Sequence, residues 1–399
     1  MIIRETYLEK IKNYIDKNII KVIVGQRRIG KSYLLKMTMQ HILSKNKRAN
    51  IIFIDKELYD FDFIKDYHQL IAYIEEHINK SEKNYLFIDE IQDIIDFEKA
   101  LRHFYNKENI DIYCTGSNAN LLSGDLATLL SGRYIKIELN NLSYLEFLKF
   151  HELDNNDESL MKYLKWGGLP FIRHLEKNDN VIFNYLNNII STIIYKDIIH
   201  RYKVRNTDFF DNLVKYIAAN IGHLITAKRI SDYLKSQKID ISTKVVLSYL
   251  QFLQNAFLVY RLKRRDLNSK IIFETNNKYY FEDWGLRNAI MGLNRFSIPD
   301  TLENVVFSHL KQLDYTISIG KIQQQEIDFV AEKQGQKIYI QVCYLLASEK
   351  VKEREFGNLL LIKDNYPKIV VSLDSVLIGS YKGIKHMHLR DFLCRENFD

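Results

Sequence analysis

The stretch IIKVIVGQRRIGKSYLLKMTMQHIL limits the fold more than any other part of the chain. A β-branched strand, Ile19–Val24, runs through a glycine-bounded loop into an amphipathic helix, the unit from which layered α/β sheets are built. The loop Gly25, Gln26, Arg27, Arg28, Ile29, Gly30, Lys31 and Ser32 fits GxxxxGK[ST] at every fixed position, and Tyr33 follows it into the helix. Backbone N–H groups of such a loop wrap phosphates. Lys31 reaches β- and γ-phosphate oxygens, and the Ser32 hydroxyl ligates Mg²⁺. The predicted ligands are therefore ATP and Mg²⁺. A bare glycine turn is the bland alternative, and the flanking strand and helix argue against it.

Downstream, NYLFIDEIQDI reads as a second buried strand that ends in Asp89-Glu90. An acid at the end of an apolar strand beside a phosphate loop holds the metal through water, so Asp89 is the second predicted metal residue. Glu90 stands where it can polarise an attacking water as general base. A third strand, IDIYCTGSN, delivers Ser117 and Asn118 to the same edge, either to bond the γ-phosphate or to cap the helix expected next, ANLLSGDLATLL. Arg133, in LLSGRY, is a candidate cation for the transferring phosphoryl group, with a helix-end ion pair as its competitor.

A chain of 399 residues predicts two to three domains, and with 46% hydrophobic and 13% aromatic residues each can bury a core. Only three prolines and 15 glycines argue against flexible linkers and against an all-β design. Cys114, Cys343 and Cys394 form no CxxC pair and no even disulfide set, so a reducing, cytoplasmic setting is the simplest expectation. No apolar run approaches membrane-spanning length, which predicts no membrane partner. The net charge of +7 is local: residues 203–270 hold thirteen Lys/Arg, five Asp and no Glu, which leaves the remainder near neutral.

GQRRIGKS, LFIDEIQ, TGSNANLLS, LSGRYIKIELNNLSYLEF and WGGLPFI, in that order, make the chain resemble the AAA-type ATPases of bacteria and archaea that carry a restriction-endonuclease-like C-terminal domain. The resemblance implies the roles given above for Lys31, Ser32, Asp89, Glu90, Ser117, Asn118 and Arg133. It also implies a P-loop sheet in which the strand of Ser117 separates the phosphate-loop strand from the Asp89 strand, and a helical lid after it. Whether Arg133 would serve its own protomer or a neighbour stays open, as does oligomeric state.

The expected division is a P-loop ATPase domain at 1–150, a helical lid at 151–205, a basic winged-helix module at 206–285 and a nuclease-like domain at 286–399. Three helices followed by a hairpin suggest the winged helix. In the third helix Val246, Leu250, Leu253 and Phe257 line one side and Lys244, Ser248, Gln251 and Asn255 the other, the face expected to meet DNA, with Arg264 and Arg265 on phosphates. In the last domain EIDFVAEKQGQKIYIQVCY reads as a two-stranded hairpin with Asp328 at the first acid position of a PD-(D/E)xK site and Glu303 as the helix glutamate. Gln341 and Cys343 stand where the second acid and the lysine belong. A neutral amide and a thiol cannot replace them on hard Mg²⁺, so no cutting activity is expected. Lys350 or Glu353 could act as displaced substitutes. The resulting reading is an Mg·ATPase whose nucleotide state controls engagement of DNA or a protein partner. An ATP-controlled endonuclease and a nucleotide-gated scaffold with little turnover are the alternatives.

Overall fold

The computed structural model describes residues 2–107, 109–122, 130–236, 241–269 and 271–398. They form two compact units, the first running to Asn140 and taking in Asn255–Phe257, the second comprising the rest from Asn141 onward.

In the first unit, helix α1 (Glu5–Lys12) precedes β1 (Ile20–Val24), α2 (Lys31–Lys45), β2 (Asn50–Asp55), α3 (Tyr67–His77), β3 (Asn84–Asp89), α4 (Phe97–Tyr105), β4 (Ile110–Gly116) and β5 (Tyr134–Glu138). The strands make one sheet in the order β2-β3-β4-β1-β5, every pair parallel. Parallel strands buried on both faces need continuous apolar runs, and β1, β3 and β4 are buried at every position. The one charge inside β1, Lys21, is bonded to Asp111 of β4, which also accepts from the Tyr113 hydroxyl at 2.7 Å. As the resemblance implies, β4 lies between the phosphate-loop strand β1 and the acid-bearing strand β3. Of the helix expected over 119–130, Ala119–Leu122 form a 3-10 turn and the stretch after it lies outside the described residues.

The second unit opens with helices α5 (Tyr144–His151), α6 (Asp157–Trp166), α7 (Asp179–Thr192), α8 (Thr207–Ala219), α9 (Ala227–Ser236) and α10 (Thr243–Asn255). Past Thr192 the α7 helix continues as a π-helix to His200. There follow β6 (Val259–Asp266), β7 (Ile272–Phe281), α11 (Trp284–Met291), α12 (Ile298–Gln312), β8 (Thr316–Ile322), β9 (Gln325–Lys333), β10 (Gln336–Val342), α13 (Glu349–Leu360), β11 (Lys368–Ser372), β12 (Ser380–Tyr381), β13 (Ile384–His388) and α14 (Leu389–Leu393). Its strands form one eight-stranded sheet, β12-β13-β11-β10-β9-β8-β6-β7. The β9–β10 hairpin turns at Gln334-Gly335, both left-handed (φ 50° and 83°), the two-residue geometry whose twist matches the strands. Ile322, Ile327, Val330, Tyr339 and Val370 pack as the core with Phe356 of α13.

The hairpin expected as the wing also extends this sheet. β6 pairs in parallel with β8, and Arg265 grips Glu332 of β9 at 3.0 and 3.1 Å. Continuous sheet thus crosses the boundary drawn at 285/286. On α10, Val246, Leu250, Leu253 and the following Phe257 are buried and Lys244, Ser248 and Gln251 exposed, while Asn255 is buried rather than on the polar face. Among the described residues no helix is long and apolar enough to cross a membrane.

Candidate active site

The carboxyl ends of β1, β3 and β4 converge because the three strands are adjacent and parallel, and open α/β sheets bind ligands at that edge. The loop leaving β1 is bent by three left-handed residues, Gly25 (φ 153°), Arg28 (φ 68°) and Gly30 (φ 100°). A side chain at Gly25 would sit 2.4 Å from the Leu139 carbonyl oxygen, so this glycine is required by close approach as well as by conformation. Gly30 caps the N-terminus of α2. Gln26, Arg27, Ile29 and Lys31 are buried, while Arg28 and Tyr33 are exposed. Gln26 donates to the Phe257 carbonyl at 3.1 Å. Lys31 Nζ donates to the Gly25 and Gln26 carbonyls at 3.2 Å and lies 3.4 Å from Glu90 Oε1.

Asp89 and Glu90 are both buried but differently supported. Burial pushes the Asp89 carboxyl up, against hydrogen bonds from the Ser32 and Thr115 hydroxyls. Thr115 joins the two acids: its hydroxyl donates to Asp89 and accepts from the Glu90 amide at 2.9 Å. Burial also pushes the Glu90 carboxyl up, but Lys31, the Gln92 amide, Arg27 and Ser117 together outweigh it and hold the group down to about 2. Ser117 donates to Glu90 Oε2 at 3.0 Å, and Gln92 bonds the same oxygen. Glu90 itself adopts a left-handed backbone (φ 53°), which turns its side chain away from the line of the strand. Asn118 is buried beside Ser117.

Lys31, Ser32, Asp89, Glu90 and Ser117 are thus brought together, and Ser32 and Asp89 already touch. A hydroxyl and a carboxylate in contact are the hard oxygen donors that Mg²⁺ takes alongside phosphate and water, so these residues fit that ion. Arg133 is not brought to the site. Its carbonyl accepts from the Ile20 amide at the opposite end of β1, and its guanidinium lies 5.4 Å over the Tyr105 ring. Five residues separate Ile20 from Gly25, about 17 Å along the strand, beyond an arginine's reach. Thr115, Gln92 and Glu57, which pairs with Arg27 at 2.9 Å, were not among the expected residues. Thr115 could have been suspected, since it lies two residues before Ser117 on the same strand face.

A second cluster lies on the sheet of the other unit. Lys278 of β7, 2% exposed, places its ammonium 2.8 Å from Glu326, 3.2 Å from Glu303 and 3.6 Å from Asp328. The Tyr280 hydroxyl donates to Glu303 at 2.8 Å. Asp328 Oδ2 accepts from the Val342 amide at 2.8 Å, and Gln341 Oε1 accepts from the Asp328 amide at 3.4 Å. Burial pulls the Lys278 ammonium down, yet the three carboxylates raise it well above the ordinary range. Burial, with Glu303 adding to it, drives the Asp328 carboxyl well up despite Lys278. Among the described residues no group of three or more His, Cys, Asp or Glu is arranged to hold a metal ion. Cys343 is buried, and burial pushes its thiol up to about 12.

Residues 17–148 match the model of an AAA domain, and residues 157–297 match a domain of unknown function (DUF8612). An uncharacterized protein of Haemophilus influenzae is 36% identical over 401 residues, with 99% of each chain covered. An uncharacterized protein of Methanocaldococcus jannaschii is 31% identical over 358 residues, covering 85% of this chain and 77% of that one. Among solved structures, the Walker-type ATPase paby2304 of Pyrococcus abyssi aligns with a TM-score of 0.53 at 17% identity, over 73% of this chain and 96% of the other, a likeness of fold. With the parallel sheet in the order β2-β3-β4-β1-β5 and its phosphate loop, the N-terminal domain is an AAA-type P-loop domain of the kind that binds ATP. The chain belongs to the family of AAA-domain proteins that includes these Haemophilus and Methanocaldococcus relatives.

Proposed function

We propose that this protein hydrolyses ATP with Mg²⁺ at the β1–α2 loop. The observation that carries the reading is the convergence of Lys31, Ser32, Asp89, Glu90 and Ser117 at one sheet edge, with Glu90 kept ionised. Loop amides of Gly25–Ser32 and the Lys31 ammonium bind the β- and γ-phosphates. Ser32 and Asp89 hold Mg²⁺, which when bound neutralises phosphate charge. Glu90 orients a water and takes its proton as the water oxygen bonds to the γ-phosphorus. The bond to the bridging oxygen breaks and its electron pair leaves on ADP. Ser117 and the neighbouring Asn118 hydrogen-bond the γ-phosphate, and Arg133 would act only on the nucleotide of a second copy. Phosphate release by the wild type, set beside Lys31→Ala and Glu90→Gln, tests this: both variants should lose turnover, about 10²-fold or more for Glu90→Gln. Wild-type release no faster than the variants' would sink it.

Nucleotide state, in this reading, governs engagement of DNA or a protein partner by residues 206–285, a winged-helix-like module, and by a nuclease-like domain from 286 onward. The support is the excess of cations over residues 203–270 and the exposed Lys244, Ser248 and Gln251 on α10. Plasmid retardation should weaken steeply with salt and with charge reversal of Lys228 and Lys244. Retardation that ignores the reversal removes DNA as the partner.

An ATP-controlled endonuclease is a second reading, favoured by one observation: Lys278 brings to Glu303, Glu326 and Asp328 the ammonium that β10 lacks. Against it, that ammonium sits among the carboxylates where a divalent ion would compete. Plasmid nicking with Mg²⁺ and ATP that Asp328→Ala abolishes would establish the endonuclease. Nicking should be absent.

A further inference from the structure

An ATPase built on this loop needs a cation to stabilise charge as the γ-phosphoryl transfers, and Arg133 lies at the far end of β1 from it. The loop carries two other arginines. Arg28 is exposed and left-handed, whereas Arg27 is buried, only 6% exposed.

Sheet topology says where the Arg27 side chain goes. Arg27 follows β1, and Glu57, to which its Nη1 bonds at 2.9 Å, follows β2. Between β1 and β2 in the sheet lie β4 and β3, so the pair bridges three strand spacings, about 14 Å, at the carboxyl edge. The strands crossed are those ending in Ser117 and in Asp89-Glu90. The Arg27–Glu57 pair therefore runs along the edge that carries Glu90, and the guanidinium's charge is felt there. Glu57 is 44% exposed, a carboxylate that exchanges readily for another anion.

We propose that Arg27 is a catalytic residue acting on its own chain's nucleotide: on ATP binding its guanidinium leaves Glu57 for the γ-phosphate, whose charge it stabilises in the transition state. A planar fork suits the equatorial oxygens of a transferring phosphoryl group better than a second lysine would. Supplied in cis from the loop, it makes turnover independent of a neighbouring protomer's arginine. The step is the one given above, with the bond to water forming, the bond to ADP breaking and the proton passing to Glu90.

The assignment rests on the ATPase reading, and the test separates the two. Phosphate release against ATP concentration is measured for wild type, Arg27→Ala, Arg27→Lys and Glu57→Gln, together with binding of fluorescent mant-ADP with and without aluminium fluoride. In Arg27→Ala, kcat should fall about 10²-fold or more with KM within about threefold, and tightening by aluminium fluoride should vanish while mant-ADP still binds. Arg27→Lys should fall between, and Glu57→Gln should lower KM for ATP, because Arg27 no longer has a carboxylate to leave. Arg27→Ala with kcat and fluoride tightening within about threefold of wild type overturns the assignment and leaves the ATPase standing. Loss of mant-ADP binding in both Arg27 variants also overturns it, since Arg27 would then be a binding or folding residue. Wild type that neither releases phosphate nor tightens on ADP with fluoride sinks both.

Discussion

The carboxylate proposed as general base is tuned by its neighbours rather than by the strand that carries it. Glu90 is depressed to about 2 because two cations and two hydrogen-bond donors outweigh its burial, while Asp89, one residue away with two hydroxyls for company, is pushed the other way. Adjacent acids are thereby shifted in opposite directions, Glu90 down by its cations and donors and Asp89 up by burial. Depression from 4.5 to about 2 means that Glu90 contributes stability in full above its unfolded value and loses it as pH falls toward about 2. The contribution is on the order of 3 kcal/mol. Thermal melts between about pH 5 and pH 3 should therefore show a shallower acid loss for Glu90→Gln than for wild type; parallel curves would refute the depressed value. The sequence made Lys31, Ser32, Asp89, Glu90 and Ser117 legible because each sits at a fixed offset from a strand end. Thr115 was legible only through its place two residues before Ser117, and Glu57 not at all, since its pairing with Arg27 depends on which strands neighbour one another. Arg133 stands at the N-terminal end of β5, and which protomer's nucleotide it would serve was left open by its place in the chain.

At the scale of elements, β7 supplies a buried cation to carboxylates carried by α12 and β9. The register and the Gln334-Gly335 turn of the hairpin β9–β10 are set by the structure, whereas the hairpin itself was readable from strand alternation. The cation among its acids was not, because Lys278 lies some fifty residues upstream on a strand expected to be a wing. Lys278→Met would strand several buried or half-buried carboxylates and should cost about 3–5 kcal/mol in urea unfolding. The double change Lys278→Met/Glu326→Gln should recover part of that loss. Because the carboxylates raise the Lys278 ammonium, its contribution is whole below the unfolded value of about 10.4 and fades only above it, so melts at neutral pH read the full effect. A loss below about 1 kcal/mol would mean that the cluster opens to water more readily than its burial implies. The basic hairpin is likewise less available than its composition suggests, with Arg265 committed to Glu332 inside the sheet.

For the whole molecule, charge excess over residues 203–270 makes one expectation about association. If DNA is the partner, binding should fall linearly in log affinity with log salt, with a slope set by the number of phosphates neutralised, and should persist in Lys31→Ala without its nucleotide dependence. Retardation of the variant that still responds to ATP would break the proposed link. The excursion of Asn255–Phe257 into the first unit has a different consequence. The chain enters the second unit at Asn141, returns for three residues whose Phe257 carbonyl takes the Gln26 amide, and leaves again. No single cut can then separate the two units as intact pieces: a fragment ending at Asn140 lacks an acceptor for a fully buried glutamine in its own phosphate loop. Insertions, permutations and truncations that treat the N-terminal domain as one uninterrupted segment should yield a nucleotide-binding loop less stable than the one in the full chain.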